Sequence, residues 1–216
     1  VSPEQTGFSA RSAIARPASL GRLTEPLGPG FEGRIDRAGS IFVELFDAEV
    51  ASVARSQLLN GANAAALRSV SGAWEVLQFE TVQEVSPQLW RLDGLLRGQL
   101  GTGDAMASGA PAGTDFVILD EAVAPAGLLA GEVGLLLNWR VGPAGSASGD
   151  FAQSAEVGGL RSLLPFAPVH LRARVTGGDL ALSWIRRSRL GGDPWEVNEI
   201  PLGEEIEQYR LQIAQP

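Results

Sequence analysis

The sequence predicts a mainly β fold, α+β in that one helix packs on antiparallel sheet. Three observations predict it. Apolar, β-favouring runs recur between Gly, Pro, Asn and Asp punctuation. The longest of them, residues 74–102 (WEVLQFETVQEVSPQLWRLDGLLRGQLGT), divides at Ser86-Pro87 into two strand-length halves. Only the stretch after Asp47 shows the apolar spacing of a helix. Because proline presets φ and cannot donate to a ladder, Ser86-Pro87 reads as the turn of a hairpin. Its strands are 74–85 and 88–97, with Trp74 and Trp90 as large anchors.

The remaining elements follow in order. Residues 1–39 mix small polar residues with Pro and Gly and read as an extended segment with one or two edge strands. Residues 40–46 (SIFVELF) are apolar at nearly every position, a strand covered on both faces. Asp47 suits a helix N-cap, Val50, Val53, Ala54 and Leu58 share one face, and Asn60-Gly61 forms the stop, which places a helix near 48–60. Residues 62–67 add a short turn. Residues 101–113 are poor in large apolar side chains and read as a long surface loop. Residues 115–120 (DFVILD) and 133–141 (VGLLLNWRV) are buried strands, and 142–159 is a second loop rich in Gly, Ala and Ser. From Pro168 the pattern alternates cleanly: Val169, Leu171, Ala173 and Val175 on one face, His170, Arg172 and Arg174 on the other. A Gly177-Gly178 turn, a strand with Leu180, Leu182 and Trp184 inward, and a strand at 208–213 complete a half-exposed sheet that needs a further layer.

A chain of 216 residues is long enough to bury a core without disulfides or metals. Net charge is -8, so binding to nucleic acid or an anionic membrane would need a local patch acting against the overall field. All 17 basic residues are arginine, which removes the P-loop and every Schiff-base mechanism. There is no cysteine and no apolar run of membrane-spanning length. The chain starts at Val1 with no signal-peptide pattern, as expected of a piece of a longer polypeptide.

Three stretches carry a family resemblance. Residues 59–67 (LNGANAAAL), 74–79 (WEVLQF) and 95–102 (LLRGQLGT), in this order and spacing, resemble the C-terminal part of the large tail hub protein of gene transfer agents and related siphophage-like tails. Residues 184–192 (WIRRSRLGG), 201–205 (PLGEE) and Tyr209 resemble the start of a fibronectin type III-like module, whose core a Trp on the second strand and a Tyr on the third anchor. The resemblance implies an antiparallel-sheet or barrel-like hub domain over 1–166 and part of a fibronectin-like β-sandwich over 167–216. It implies a homotrimer that closes the distal tail tube, contacts the distal tail ring and tail tip proteins, and carries domains toward the host surface. DNA would meet it only in transit. The expected setting is the baseplate of a virion or virus-like particle assembled in the bacterial cytoplasm. The family's upstream glycosidase-like barrel has no counterpart here, so no hydrolytic residue carries over.

The residues themselves offer no catalytic, cofactor or metal constellation, and the expectation is a protein that is not an enzyme and needs no cofactor. His170, the only histidine, sits on a sheet surface and lacks the partners of a zinc site or a triad. Gly98, Gly101 and Gly103 do not fit a phosphate-binding order, and no helix pattern follows them. Asp120-Glu121 and Glu204, Glu205 and Glu207 read as solvated charge rather than a facing carboxylate pair. Arg186, Arg187 and Arg189 pair with nearby Glu204 and Glu205 on the surface. Trp74, Trp90, Trp139 and Trp184 fall in apolar patterns and are core, whereas Trp195, beside Pro194, is the residue to test for glycan contact. That residue carries the alternative reading, a carbohydrate-binding module for host cell-surface glycan.

Overall fold

The computed structural model describes residues 1–144, 150–188 and 199–212. Backbone contacts divide the chain into two compact units, Val1–Gly159 and Leu160–Pro216. The division falls at Gly159, whereas the sequence pattern places a boundary at 166.

Six strands of the first unit close a barrel. They are β1 (Leu20–Leu23), β2 (Asp36–Phe46), β3 (Ala64–Arg68), β4 (Trp74–Ser86), β5 (Leu89–Gln99) and β6 (Asp115–Ile118). The order around the barrel is β1-β2-β5-β4-β3-β6, and every neighbouring pair is antiparallel. Three consecutive strands, β3 to β5, form a meander, and β6 returns to lie beside β3, which is a Greek key. The inward residues recur at period two: Ile41, Val43 and Leu45 on β2, Ala65 and Leu67 on β3, Leu77 and Phe79 on β4. Trp90, Leu92 and Leu95 of β5 join Leu23 and Phe116 to complete the core. Closure satisfies the strand edges internally, so the apolar alternation of each strand has one wet face and one dry face.

That geometry corrects several expectations. β2 is covered on one face only: Glu44 and Phe46 point outward and are exposed. The stretch expected as a short turn at 62–67 contributes β3, because Ala65 and Leu67 fill the space between β4 and β6. Small side chains are weak strand formers, and tertiary pairing overrides that preference.

The helix near 48–60 is a single short turn, α1 (Arg55–Leu59), with Leu58 buried. Gln57 Oε1 accepts the Ala54 N–H at 2.9 Å, the N-terminal half of a capping box. Asp47 takes φ 51 rather than capping a helix. Residues 51–53 instead run along β4, whose far half has lost β3 as a partner. Val53 N–H donates to Glu80 O at 2.9 Å, Ser52 Oγ accepts Val82 N–H at 2.8 Å, and Asn63 O accepts Phe79 N–H at 3.3 Å. Satisfying those backbone groups outweighs the helical spacing.

The β4–β5 hairpin forms, but its turn residues are Pro87 and Gln88, with φ 64 at Gln88, one position beyond the Ser86-Pro87 expected, because Ser86 still pairs with Leu89. Trp90 is buried, but Trp74 is 40% exposed and is not core. The expected loop at 101–113 contains α2 (Gly103–Ser108), which buries Ala105 and Met106. Outside the barrel, β7 (Leu136–Val141) pairs with β8 (Ala152–Val157), a strand within the expected loop 142–159. Only Leu137 of β7 is buried, so this ribbon is not the internal strand predicted.

The second unit begins with α3 (Leu160–Leu163) and holds a hairpin of β9 (Val169–Thr176) and β10 (Asp179–Ile185). Its Gly177-Gly178 turn has φ 63 and 94, the two positive values that a tight hairpin of this hand needs. The pairing steps from Arg172–Ser183 to Val169–Ile185, an extra residue on β9 near His170, whose φ is 55. The expected strand at 208–213 is absent over residues 208–212, and Ile213 lies outside the described residues. Leu171, Val175 and Leu180 are exposed.

Candidate functional site

The densest buried polar arrangement lies at one end of the barrel and joins the three motifs of the sequence. Glu75 shares the inward parity of Leu77 and Phe79, and Arg97 that of Leu95. Arg97 donates to Glu75 through Nε–Oε1 at 2.5 Å and Nη2–Oε2 at 2.8 Å, and both side chains are only 2% exposed. Gly98 N–H adds a 3.2 Å bond to the same carboxylate, and Arg97 Nη1 donates to Gly28 O at 3.1 Å. Burying two charges costs several kcal/mol per ion, and the bidentate geometry with extra hydrogen bonds is what offsets it.

The chain segment 28–32 closes over this pair. A Cβ on Gly30 would meet Arg97 Nη1 at 3.0 Å, and one on Gly103 would overlap the Glu32 carboxylate. Gly98, at φ 63, follows Arg97 where β5 carries an extra residue opposite β4, and it is the N–H of this bulge that bonds the Glu75 carboxylate.

The other motif residues secure the same corner. Gln78 is buried and its Nε2 donates to Leu58 O at 2.6 Å and Ala62 O at 2.7 Å, which fastens 74–79 to 59–67. Thr102 Oγ1 accepts Val76 N–H at 2.9 Å and donates to Gln99 O at 2.7 Å. Gln99 Nε2 in turn donates to Arg97 O at 2.9 Å. Leu100, in the middle of this turn, is 77% exposed at φ 54. Glu75, Gln78 and Arg97 are absent from the sequence-level candidates. For Glu75 and Arg97 the available signal was parity, a polar residue on a strand position whose alternate neighbours make the core. Gln78 has the opposite parity on β4 and is buried by the turn that holds Leu58 and Ala62, which no strand pattern signals.

The sequence candidates are scattered rather than assembled. His170 is exposed at the β9 irregularity. Trp195 and Arg189 lie outside the described residues. Arg186 pairs with Glu199 and Glu207, at 3.0 and 2.7 Å, and donates to Ile200 O at 2.6 Å. Arg187 lies over the Phe166 ring at 4.7 Å. Trp184 and Tyr209 meet edge to face with centroids 5.0 Å apart. The Tyr209 hydroxyl donates to Glu207, which holds its pKa above the ordinary phenol value. Trp139 and Trp184 are only partly buried.

Glu121 pairs with Arg16, and Asp120 accepts the Ala122 N–H, so these two carboxylates serve separate partners. A short helix, α2, does follow the glycines at 98–103. However, Gly98 N–H is already bonded to Glu75, and the Glu32 carboxylate lies against Gly103. An anion would meet negative charge there. Among the described residues no group of His, Cys, Asp and Glu is placed to hold a metal ion.

Fold and site together define a closed antiparallel β-barrel whose motif residues hold strands, turns and a short helix to one another. Residues 18–117 match the family model described as Rcc01698-like, C-terminal, just under half of the chain. The matched span runs from just before β1 to within β6, which is the barrel. No curated protein matches the chain.

Proposed function

We propose that this chain is a structural segment of a phage-like tail baseplate hub, of the kind found in gene transfer agents. In that role it closes the distal tail tube as a homotrimer and carries further domains toward the host surface. The observation that carries the reading is the coincidence of two spans. The family match covers the barrel, and the motif residues behind the resemblance are the ones that wire it: Glu75, Gln78, Arg97 and Thr102. Motif side chains that bond strands, turns and one another serve as scaffold, and their contribution is shape and assembly. The Trp184–Tyr209 contact supports a fibronectin-like role for the second unit in the same particle.

The test is imaging of tail particles with this chain labelled. Copies on the tail axis in threefold arrangement are the expected result. A chain that stays monomeric and never co-purifies with tails would remove the reading.

A further inference from the structure

Residues 1–11 of the first unit lie along the outer edge of β7 and are held there mainly by polar contacts. Ser2 and Asn138 exchange two backbone hydrogen bonds, at 2.9 and 2.8 Å, and Asn138 Nδ2 donates to Pro3 O at 3.2 Å. Arg11 forms a two-pronged ion pair with Glu132, one prong at 3.0 Å, and donates to Gly127 O at 3.0 Å. Glu132 also accepts Leu129 N–H at 2.9 Å, so its carboxylate is oriented by its own turn, Ala130–Glu132. Arg140 of β7 lies over the Phe8 ring at 4.0 Å.

Apolar anchoring is slight. Val1 is the one buried apolar side chain in residues 1–19, and residues 12–19, which lead to β1, form no regular element. On the other edge of β7 all six residues pair with β8. On this edge the N-terminal segment bonds only Asn138. By the two-residue period of a strand, the backbone groups of Leu136 and Arg140 face the same way as those of Asn138.

We propose that residues 1–11 form a releasable strap, latched by Arg11 on Glu132, that covers a strand-addition edge formed by Leu136, Asn138 and Arg140. Its hold uses none of the barrel ladder, so it opens as a local unit without unfolding β1 to β6. The occupant of that edge is the strap itself, held by the paired main-chain bonds of Ser2 and Asn138. This inference does not depend on the tail-hub reading.

Hydrogen exchange of the full chain at pH 7 tests it. Arg11→Ala is expected to speed exchange of the Asn138 amide roughly tenfold, the loss of a charge-assisted contact. Peptides from β4 and β5 should keep wild-type rates. Glu132→Gln should reproduce the effect. Glu121→Gln, which removes only the exposed Arg16 pair, should not. A labelled peptide of residues 1–16, which retains Arg11, should bind the Arg11→Ala chain roughly tenfold tighter than wild type, because the strap in cis no longer competes. Unchanged Asn138 protection in both latch variants overturns the proposal. So does exchange that spreads to β4 and β5, and so does failure of the peptide to bind the Arg11→Ala chain.

Discussion

At the scale of single residues, the Glu75–Arg97 pair should behave as a buried charge pair does. Removing one partner leaves the other uncompensated at 2% exposure. Glu75→Leu or Arg97→Met is therefore expected to destabilise the barrel by about 3–5 kcal/mol. The double replacement Glu75→Leu with Arg97→Met should cost less than either single change, because it leaves no orphan charge. Denaturant unfolding of the four proteins gives the comparison, and additive losses would show that the pair is not coupled. Leu100 makes the opposite case. A bulky side chain at φ 54 carries left-handed strain, and this one is 77% exposed, so little burial is lost with it. Leu100→Gly should be neutral or raise stability by up to about 1 kcal/mol, the strain relieved offsetting the added backbone entropy. A clear loss in the same assay would mean that Leu100 packs in a way its exposure does not reveal.

At the scale of elements, Gln78 is the tie between β4 and the turn after α1. Its Nε2 satisfies two main-chain carbonyls, Leu58 O and Ala62 O. Gln78→Leu preserves volume but leaves both without that donor, and about 1–3 kcal/mol should be lost. Faster amide exchange confined to α1 and β3 is the expected signature, because α1 is too short to hold without tertiary contacts. The elements also show where the sequence was legible. The β4–β5 hairpin was readable because long alternating runs flank a proline turn, and the β9–β10 hairpin because alternation meets Gly177-Gly178. β3 and β8 were hidden: an Ala-rich segment and the small and polar run AQSAEV give no apolar contrast, and only the strands beside them define their place. The helix was overextended because Val50, Val53, Ala54 and Leu58 fit a helical face as well as they fit an extended segment docked on β4. The motif corner was half legible. Its turns and glycines could be read, but the pairing of Glu75 with Arg97 joins residues on two strands across a bulge, and no local pattern encodes that.

At the scale of the whole molecule, charge is unevenly distributed. The unit Val1–Gly159 holds 18 acidic and 10 basic residues and so carries the whole net charge of -8, while Leu160–Pro216 holds seven of each. Within the first unit, Glu132 is a carboxylate held in its charged form. The Arg11 guanidinium bonded to it, then the Leu129 N–H, hold its pKa below the ordinary value of 4.5. A carboxyl with a lowered folded pKa gives stability that is fully present above its unfolded value and lost as pH falls through the folded one. The hold of residues 1–11 should thus be constant from pH 7 down to about 5 and weaken below the usual carboxylate range. Exchange rates at the Asn138 amide, corrected for intrinsic pH dependence, should rise there while β4 and β5 stay protected. In Glu132→Gln the corrected rate should already be high at pH 7 and change little on acidification. An Asn138 amide whose protection falls in step with the barrel in both proteins would place the acid-sensitive contact in the barrel rather than at Glu132.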